Sequence, residues 1–140
     1  MSASGSSASF TVNYAVYGPG LFGSTAPYIV AQHADNSYVT PASPAKPGEV
    51  IILWGTGFGP ATPAVPSGQV FLGASPLANT PTVTIDGQPA VVDFAGVVGA
   101  GLVQINVHVP ASLNNGDAAV VATVQSVSTQ STANLIPVHN

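Results

Sequence analysis

Apolar residues in this chain recur in short runs, and where a run is long enough to show a period the period is two. Phe10, Val12, Tyr14 and Val16 alternate with Thr11, Asn13 and Ala15. In Leu102 to Val109, Val103, Ile105, Val107 and Val109 fall on one side, and Leu102, Gln104, Asn106 and His108 on the other. Alternation of this kind, rich in Val, Ile, Thr and aromatic residues, is the pattern of a half-buried strand. Further strands are predicted over Pro27 to Gln32, Ser37 to Thr40, Val50 to Trp54, Thr82 to Ile85, Ala90 to Phe94, Ala118 to Val127 and Thr132 to Val138, with a small one over Val70 to Leu72. Val50 to Trp54 is the most apolar of them and is placed centrally. The chain's 15 glycines and 13 prolines leave no clean 3.6 period, so helix beyond a single turn is not expected.

The segments between the runs carry turn chemistry. Asp86-Gly87 between two β-branched runs predicts a tight hairpin, because glycine accepts a positive φ at little cost. Asp35-Asn36-Ser37 and Asn114-Asn115-Gly116 predict two further turns, and Ala95 to Gly101 a glycine-rich loop. Pro41 to Gly48 reads as a proline-stiffened connector unable to join a ladder. Pro60 to Thr80 is a long loop with few apolar anchors, of a length that often carries binding. The sum is an all-β sandwich of about seven to nine short strands.

Charge narrows the function classes. Lys46, Asp35, Glu49, Asp86, Asp93 and Asp117 make up the 4% of charged residues, against about 25% in an ordinary domain. A single Lys and no Arg exclude nucleic-acid binding by phosphate neutralisation. They also exclude a basic helix lying on a membrane. No apolar run exceeds five residues, far short of the ~20 a membrane-spanning helix needs, so no membrane insertion is expected. With 46% hydrophobic residues the chain collapses into a core instead of remaining disordered. Cysteine is absent, which removes disulfides, thiolate metal sites and a cysteine nucleophile. Residues 1–9 lack the basic and apolar regions of a secretory signal and read as a flexible Ser/Ala/Gly leader ahead of one domain over residues 10–140, as in a module cut from a longer protein.

Little in the chain suggests a reaction. Ser43-Pro-Ala-Lys46 has the Ser-x-x-Lys spacing of penicillin-recognising enzymes, but Pro47 stops the helix that would align the pair and neither partner motif is present. No Gly-x-Ser-x-Gly elbow exists. His33 and Asp35, at i and i+2, are candidate metal ligands with His108 or His139, yet a strand end entering a turn explains them better. Asp86 and Asp117 belong to turns, and Asp93 alternates outward, so no carboxylate pair for glycoside hydrolysis is indicated. No cofactor is expected. Gly55, Gly57 and Gly59, alternating with Thr56 and Phe58, suit a bulged corner with Phe58 tucked inward. A phosphate cradle would need a following Lys-Ser/Thr and a helix N-terminus, and neither is present.

Two stretches carry a family pattern. Pro47-Gly-Glu-Val-Ile-Ile-Leu-Trp-Gly-Thr-Gly-Phe-Gly59 resembles the signature strand and turn of IPT/TIG immunoglobulin-like domains, and Pro81-Thr-Val-Thr-Ile-Asp-Gly-Gln-Pro-Ala-Val91 resembles the hairpin that follows it. A longer ordered set consists of Gly18-Pro-Gly-Leu-Phe22, Asp35-Asn-Ser37, Pro44-Ala45, Trp54 to Gly59, Gly101 to Val107 and Val109-Pro110. That set resembles the uncharacterised domain ending many large exported proteins of Solibacter and other acidobacteria. The resemblance implies an immunoglobulin-like sandwich in a secreted or cell-surface bacterial protein, and it implies no reaction. The expected role is a non-catalytic structural or interaction module. Its uncharged, alternating segment Phe10, Val12, Tyr14 and Val16 would pair as an edge strand with neighbouring modules or copies of itself. The alternative is a carbohydrate-binding module for a polysaccharide, with Tyr17, Tyr28 and Tyr38 as stacking aromatics and Trp54 assigned to the core.

Overall fold

The computed structural model describes residues 17–62, 74–129 and 134–140. The described residues are all-β, with no helix, and form two antiparallel sheets. Eleven strands are present among the described residues, more than the expected seven to nine, and three of them are two-residue pieces. In chain order these are β1 (Gly20–Leu21), β2 (Ala31–His33), β3 (Val50–Thr56), β4 (Ser75–Pro76), β5 (Thr82–Ile85), β6 (Gln88–Ala90), β7 (Val92–Gly99), β8 (Leu102–His108), β9 (Gly116–Val124), β10 (Val127–Ser128) and β11 (Leu135–Val138). The six-stranded sheet runs β1-β3-β8-β7-β4, with β2 also on β3. The five-stranded sheet runs β10-β9-β5-β6, with β11 also on β9.

Period-two alternation decides which side chains meet between the sheets. Ile51 and Leu53 of β3 and Val103, Ile105 and Val107 of β8 are buried from one layer. Val83 and Ile85 of β5 and Val120, Ala122 and Val124 of β9 are buried from the other. Together with Phe58, Val109, Leu113 and Ile136 they form one contiguous cluster. Most members are branched aliphatic or alanine, residues that pack closely on a pleated surface.

The hairpin at Asp86-Gly87 has both residues at positive φ (53° and 76°) and pairs Ile85 with Gln88, the geometry of a two-residue hairpin turn. Downstream the chain departs from expectation. The predicted strand Ala90 to Phe94 is two strands. β6 ends at Ala90 in the five-stranded sheet, exposed Val91 makes the crossing, and β7 begins at Val92 in the six-stranded sheet. The predicted loop at Ala95 to Gly101 is largely strand, since β7 continues to Gly99 against β8 with two register shifts. Cross-strand pairing outweighs the low strand propensity of its glycines. Ala118 to Val127 is likewise broken by a tight turn, with Gln125 and Ser126 at φ 48° and 66°. The Pro27 to Gln32 run yields only isolated bridges before β2 starts at Ala31. Val70 to Leu72 and Phe10 to Val16 lie outside the described residues.

Trp54 is not a core residue. In β3 the buried positions are Ile51, Leu53 and Gly55, so Val50, Ile52 and Trp54 point out of the sandwich. The strand then passes through the glycine corner. Gly57 and Gly59 have φ of 79° and 89°. A Cβ on Gly57 would lie 2.0 Å from the Gly18 carbonyl oxygen, and one on Gly59 would lie 2.3 Å from the Tyr17 ring. The Gly18 N–H donates to the Gly57 carbonyl (2.9 Å). The alternating glycines thus provide both a left-handed backbone and a dock for the Tyr17–Leu21 segment, while Phe58 between them is 1% exposed.

The edges are closed without charge. Edge strands β4 and β6 are short and carry Pro76 and Pro89, which offer no N–H to an incoming strand. β2 is covered by the Tyr38–Val39 segment, with the Val39 N–H donating to Ala31. β11 is covered by Pro27 to Ile29 and by Ala45. The proline connector therefore does enter a ladder, at Ala45, whose N–H donates to the Pro137 carbonyl (2.9 Å) between the flanking prolines.

Gly57→Ala is expected to lower stability by at least about 2 kcal/mol, combining a disfavoured φ with the clash at Gly18. Gly87→Ala, with open space around its Cβ, carries the φ cost alone, about 1 kcal/mol. Urea unfolding of the two variants checks the order, and equal losses would contradict the docking role of Gly57.

Candidate functional sites

Four of the chain's ionisable side chains, His33, Asp35, Lys46 and Glu49, line an open concavity of about 570 Å³ together with Ser43. β2 delivers His33 and the turn after it delivers Asp35, whose carboxylate accepts the Ser37 N–H (2.9 Å) and hydroxyl (2.6 Å). Those two bonds hold the Asp35 carboxyl below its ordinary pKa. His33 Nδ1 lies 2.8 Å from Glu49 Oε1, and Nε2 lies 3.1 Å from the Ser43 hydroxyl.

These distances trace a serine–histidine–glutamate relay, but the hydrogen bonds do not support one. Nε2 is also 3.0 Å from the Ser43 carbonyl oxygen, which can only accept, so an N–H belongs there. With Nδ1–H facing Glu49 and Nε2–H facing that carbonyl, the imidazolium form satisfies both acceptors and leaves no lone pair for the serine proton. Its pKa reflects this. Burial pulls it down, yet the Glu49 hydrogen bond, the Ser43 carbonyl and the attraction of Glu49 and Asp35 together raise it above 6.5. The Ser43 N–H is used as well, donating to the Thr40 carbonyl (2.9 Å), so it is not available for a developing oxyanion.

The cluster acts as a latch. Glu49 holds His33 through Oε1 and the Lys46 backbone N–H through Oε2, while His33 holds Ser43. Lys46 is exposed, and its contact with Glu49 is made by the backbone. Three prolines stand between residues 41 and 47 and cannot donate to a ladder, so side chains supply the anchoring instead. No group of three or more His, Asp or Glu residues that could hold a metal occurs among the described residues. His108 pairs with Asp93 instead (2.7 Å) and so lies apart from His33.

The tyrosines expected to share a ligand platform are separated. Tyr17 packs on Gly59, and its hydroxyl accepts the Asn79 amide (2.7 Å). The Tyr28 hydroxyl donates to Asp117 of β9 (3.0 Å), which raises the phenol pKa above 10.0 and makes Asp117 more than a turn residue. Tyr38 is 61% exposed and stands opposite Gln32 on the outer face of the six-stranded sheet. Trp54 completes that face. Register places Trp54 across from Gln104, and Ile52 between Gln32 and Asn106, with Phe94 beyond Asn106. The indole Nε1 donates to Gln32 Oε1 (2.6 Å), and Gln32 Nε2 donates in turn to the Asn36 carbonyl (2.9 Å). Gln104 Nε2 donates to Asn106 Oδ1 (2.9 Å). The Phe94 ring fills the space above Gly96, where a Cβ would come within 2.5 Å of its Cζ.

The outward set of β8 was readable from its alternation; that of β3 was not, because Val50 to Trp54 is apolar throughout. Their pairing into one surface was not readable either, because it depends on register. No protein-family model matches the chain, and neither does any curated protein or solved structure.

The His33 latch has a definite pH signature. A folded pKa above the unfolded 6.5 contributes stability that is complete below about pH 6.5 and is lost as pH rises through the folded value. The stability difference between the parent chain and His33→Gln is therefore expected to hold steady below about pH 6.5 and to shrink as the pH is raised from there into the alkaline range. Denaturant midpoints across that range check it, and a difference that grows with pH would refute the imidazolium assignment.

Proposed function

We propose that this chain is a non-catalytic interaction module, an immunoglobulin-like sandwich belonging to an exported or cell-surface bacterial protein. The observation that carries the reading is the contrast between its two polar regions. In the concavity the hydrogen-bonding capacity of His33, Ser43 and Glu49 is spent on holding the connector. On the outer face of the six-stranded sheet, aromatic and amide side chains stand half-buried or exposed toward solvent on a rigid ladder. Exposed aromatics on a fixed scaffold suit recognition. The ordered motif set between Gly18 and Pro110 supports the same family of folds and the exported context.

Interaction through the described edges is disfavoured by their prolines and short lengths. Strand addition falls to Phe10, Val12, Tyr14 and Val16, outside the described residues. Removing residues 1–16 is expected to reduce self-association in sedimentation velocity while the remaining domain stays folded; unchanged association would discard the strand-pairing route. The non-catalytic reading is checked with ester, peptide and glycoside substrates. Turnover above the blank that disappears in both Ser43→Ala and His33→Gln would overturn it, and none is expected.

A further inference from the structure

We infer that the outer face of the six-stranded sheet, between Trp54 and Phe94, binds a neutral glycan chain of at least two sugar rings. The inference rests on the interaction-module reading and gives that module a ligand class. The first support is spacing. β3 and β7 are separated by β8 alone and lie roughly 10 Å apart, two strand spacings; Trp54 shares a register row with Gln104 and Gly96, and Phe94, one row along beside Asn106, extends over Gly96 toward it. That separation approximates the length of a disaccharide, so two rings of one chain can each meet an aromatic surface.

The second support is how the aromatics are held. The Trp54 N–H is already satisfied by Gln32, which fixes the indole and leaves ring surface, not its polar edge, for a ligand. Phe94 extends along its own strand over Gly96, whose missing side chain makes the space. Immobilised rings present contact area with little entropy left to lose on binding, and the apolar faces of sugars are suited to such surfaces.

The third support is the chemistry between the rings. Gln104 and Asn106 of β8 lie there, joined by a single hydrogen bond from Gln104 Nε2 to Asn106 Oδ1. Each primary amide has two N–H donors and an acceptor oxygen, so the pair retains donors and an acceptor for sugar hydroxyls. Charge complementarity favours a neutral occupant. Among the described residues, the side chains that register places between Trp54 and Phe94 are Gln104 and Asn106, both uncharged, and Asp93, beside Phe94, is paired with His108. A second copy of the chain fits less well, because facing aromatics would bury amides beside apolar surface without a matched partner.

Affinity electrophoresis of the full chain through gels containing soluble β-glucan, xylan, mannan or amylose tests the site, with alginate as the anionic control. The parent chain is expected to be retarded by at least one neutral polysaccharide and not by alginate. Trp54→Ala and Phe94→Ala are each expected to weaken that binding at least tenfold. Gln104→Glu, which keeps the shape and adds charge, is expected to weaken it severalfold. Tyr28→Phe, on the Asp117 side, is expected to bind as the parent does. Circular dichroism confirms that each variant is folded, and Gln104→Glu keeps the test open if Trp54→Ala is not. Absence of retardation in all four neutral gels, or retardation indifferent to every face variant, overturns the proposal. If the parent instead self-associates in sedimentation and Trp54→Ala abolishes this, the glycan assignment fails while the interaction-module reading stands. If neither binding nor association depends on this face, both fail.

Discussion

The register between β3 and β8 constrains nearly everything else in this molecule. Six consecutive residues of β3, Val50 to Gly55, pair with His108 to Val103. Burying Ile51 and Leu53 beside Val107 and Ile105 is worth several kcal/mol of apolar transfer. A one-residue slip of β3 would turn Ile51 and Leu53 to water and drive Trp54 into the core, and the same slip of β8 would expose Ile105 and Val107 and bury Gln104 and Asn106. The outer face is therefore not an independent feature. It is the complement of the core, set by the same pairing.

Scarcity of charge has a second structural consequence. Most proteins shield sheet edges with lysine or inward charges, whereas here proline, very short strands and covering segments do that work. His33 and Glu49 act where backbone pairing fails. The connector of residues 41–48 has no N–H at three of its positions, and His33 with Glu49 ties it down from both sides. The serine–histidine–glutamate spacing accompanies that anchoring, with the Ser43 carbonyl as a second contact of Nε2 beside the Ser43 hydroxyl.

The glycine corner and the outer face are linked in the same way. Gly55, Gly57 and Gly59 let the Gly18 to Leu21 segment approach so closely that β1 pairs with the end of β3. That pairing brings the Phe22 N–H to the Trp54 carbonyl (2.9 Å), adding another aromatic beside Trp54. A motif that looks like a ligand cradle when read alone thus extends a sheet and builds its surface indirectly.

The residues by themselves determine the all-β class, the alternation of β5 and β8, the apolar run of β3 and the hairpin at Asp86-Gly87, since each rests on interactions between near neighbours in the chain. They also determine the absence of phosphate-binding charge, which is a matter of counting. Tertiary structure decides what depends on distant partners. It continues β7 through glycines that a local reading assigns to a loop, because β8 lies alongside to pair with them. It moves Trp54 from an apolar run to the outer face, because apolarity names a strand but only its partners choose which side is inward. It disperses Tyr17, Tyr28 and Tyr38 and brings Phe94 to the outer face that also carries Trp54, one register row away across β8, because strands far apart in sequence become neighbours only when the sheets close.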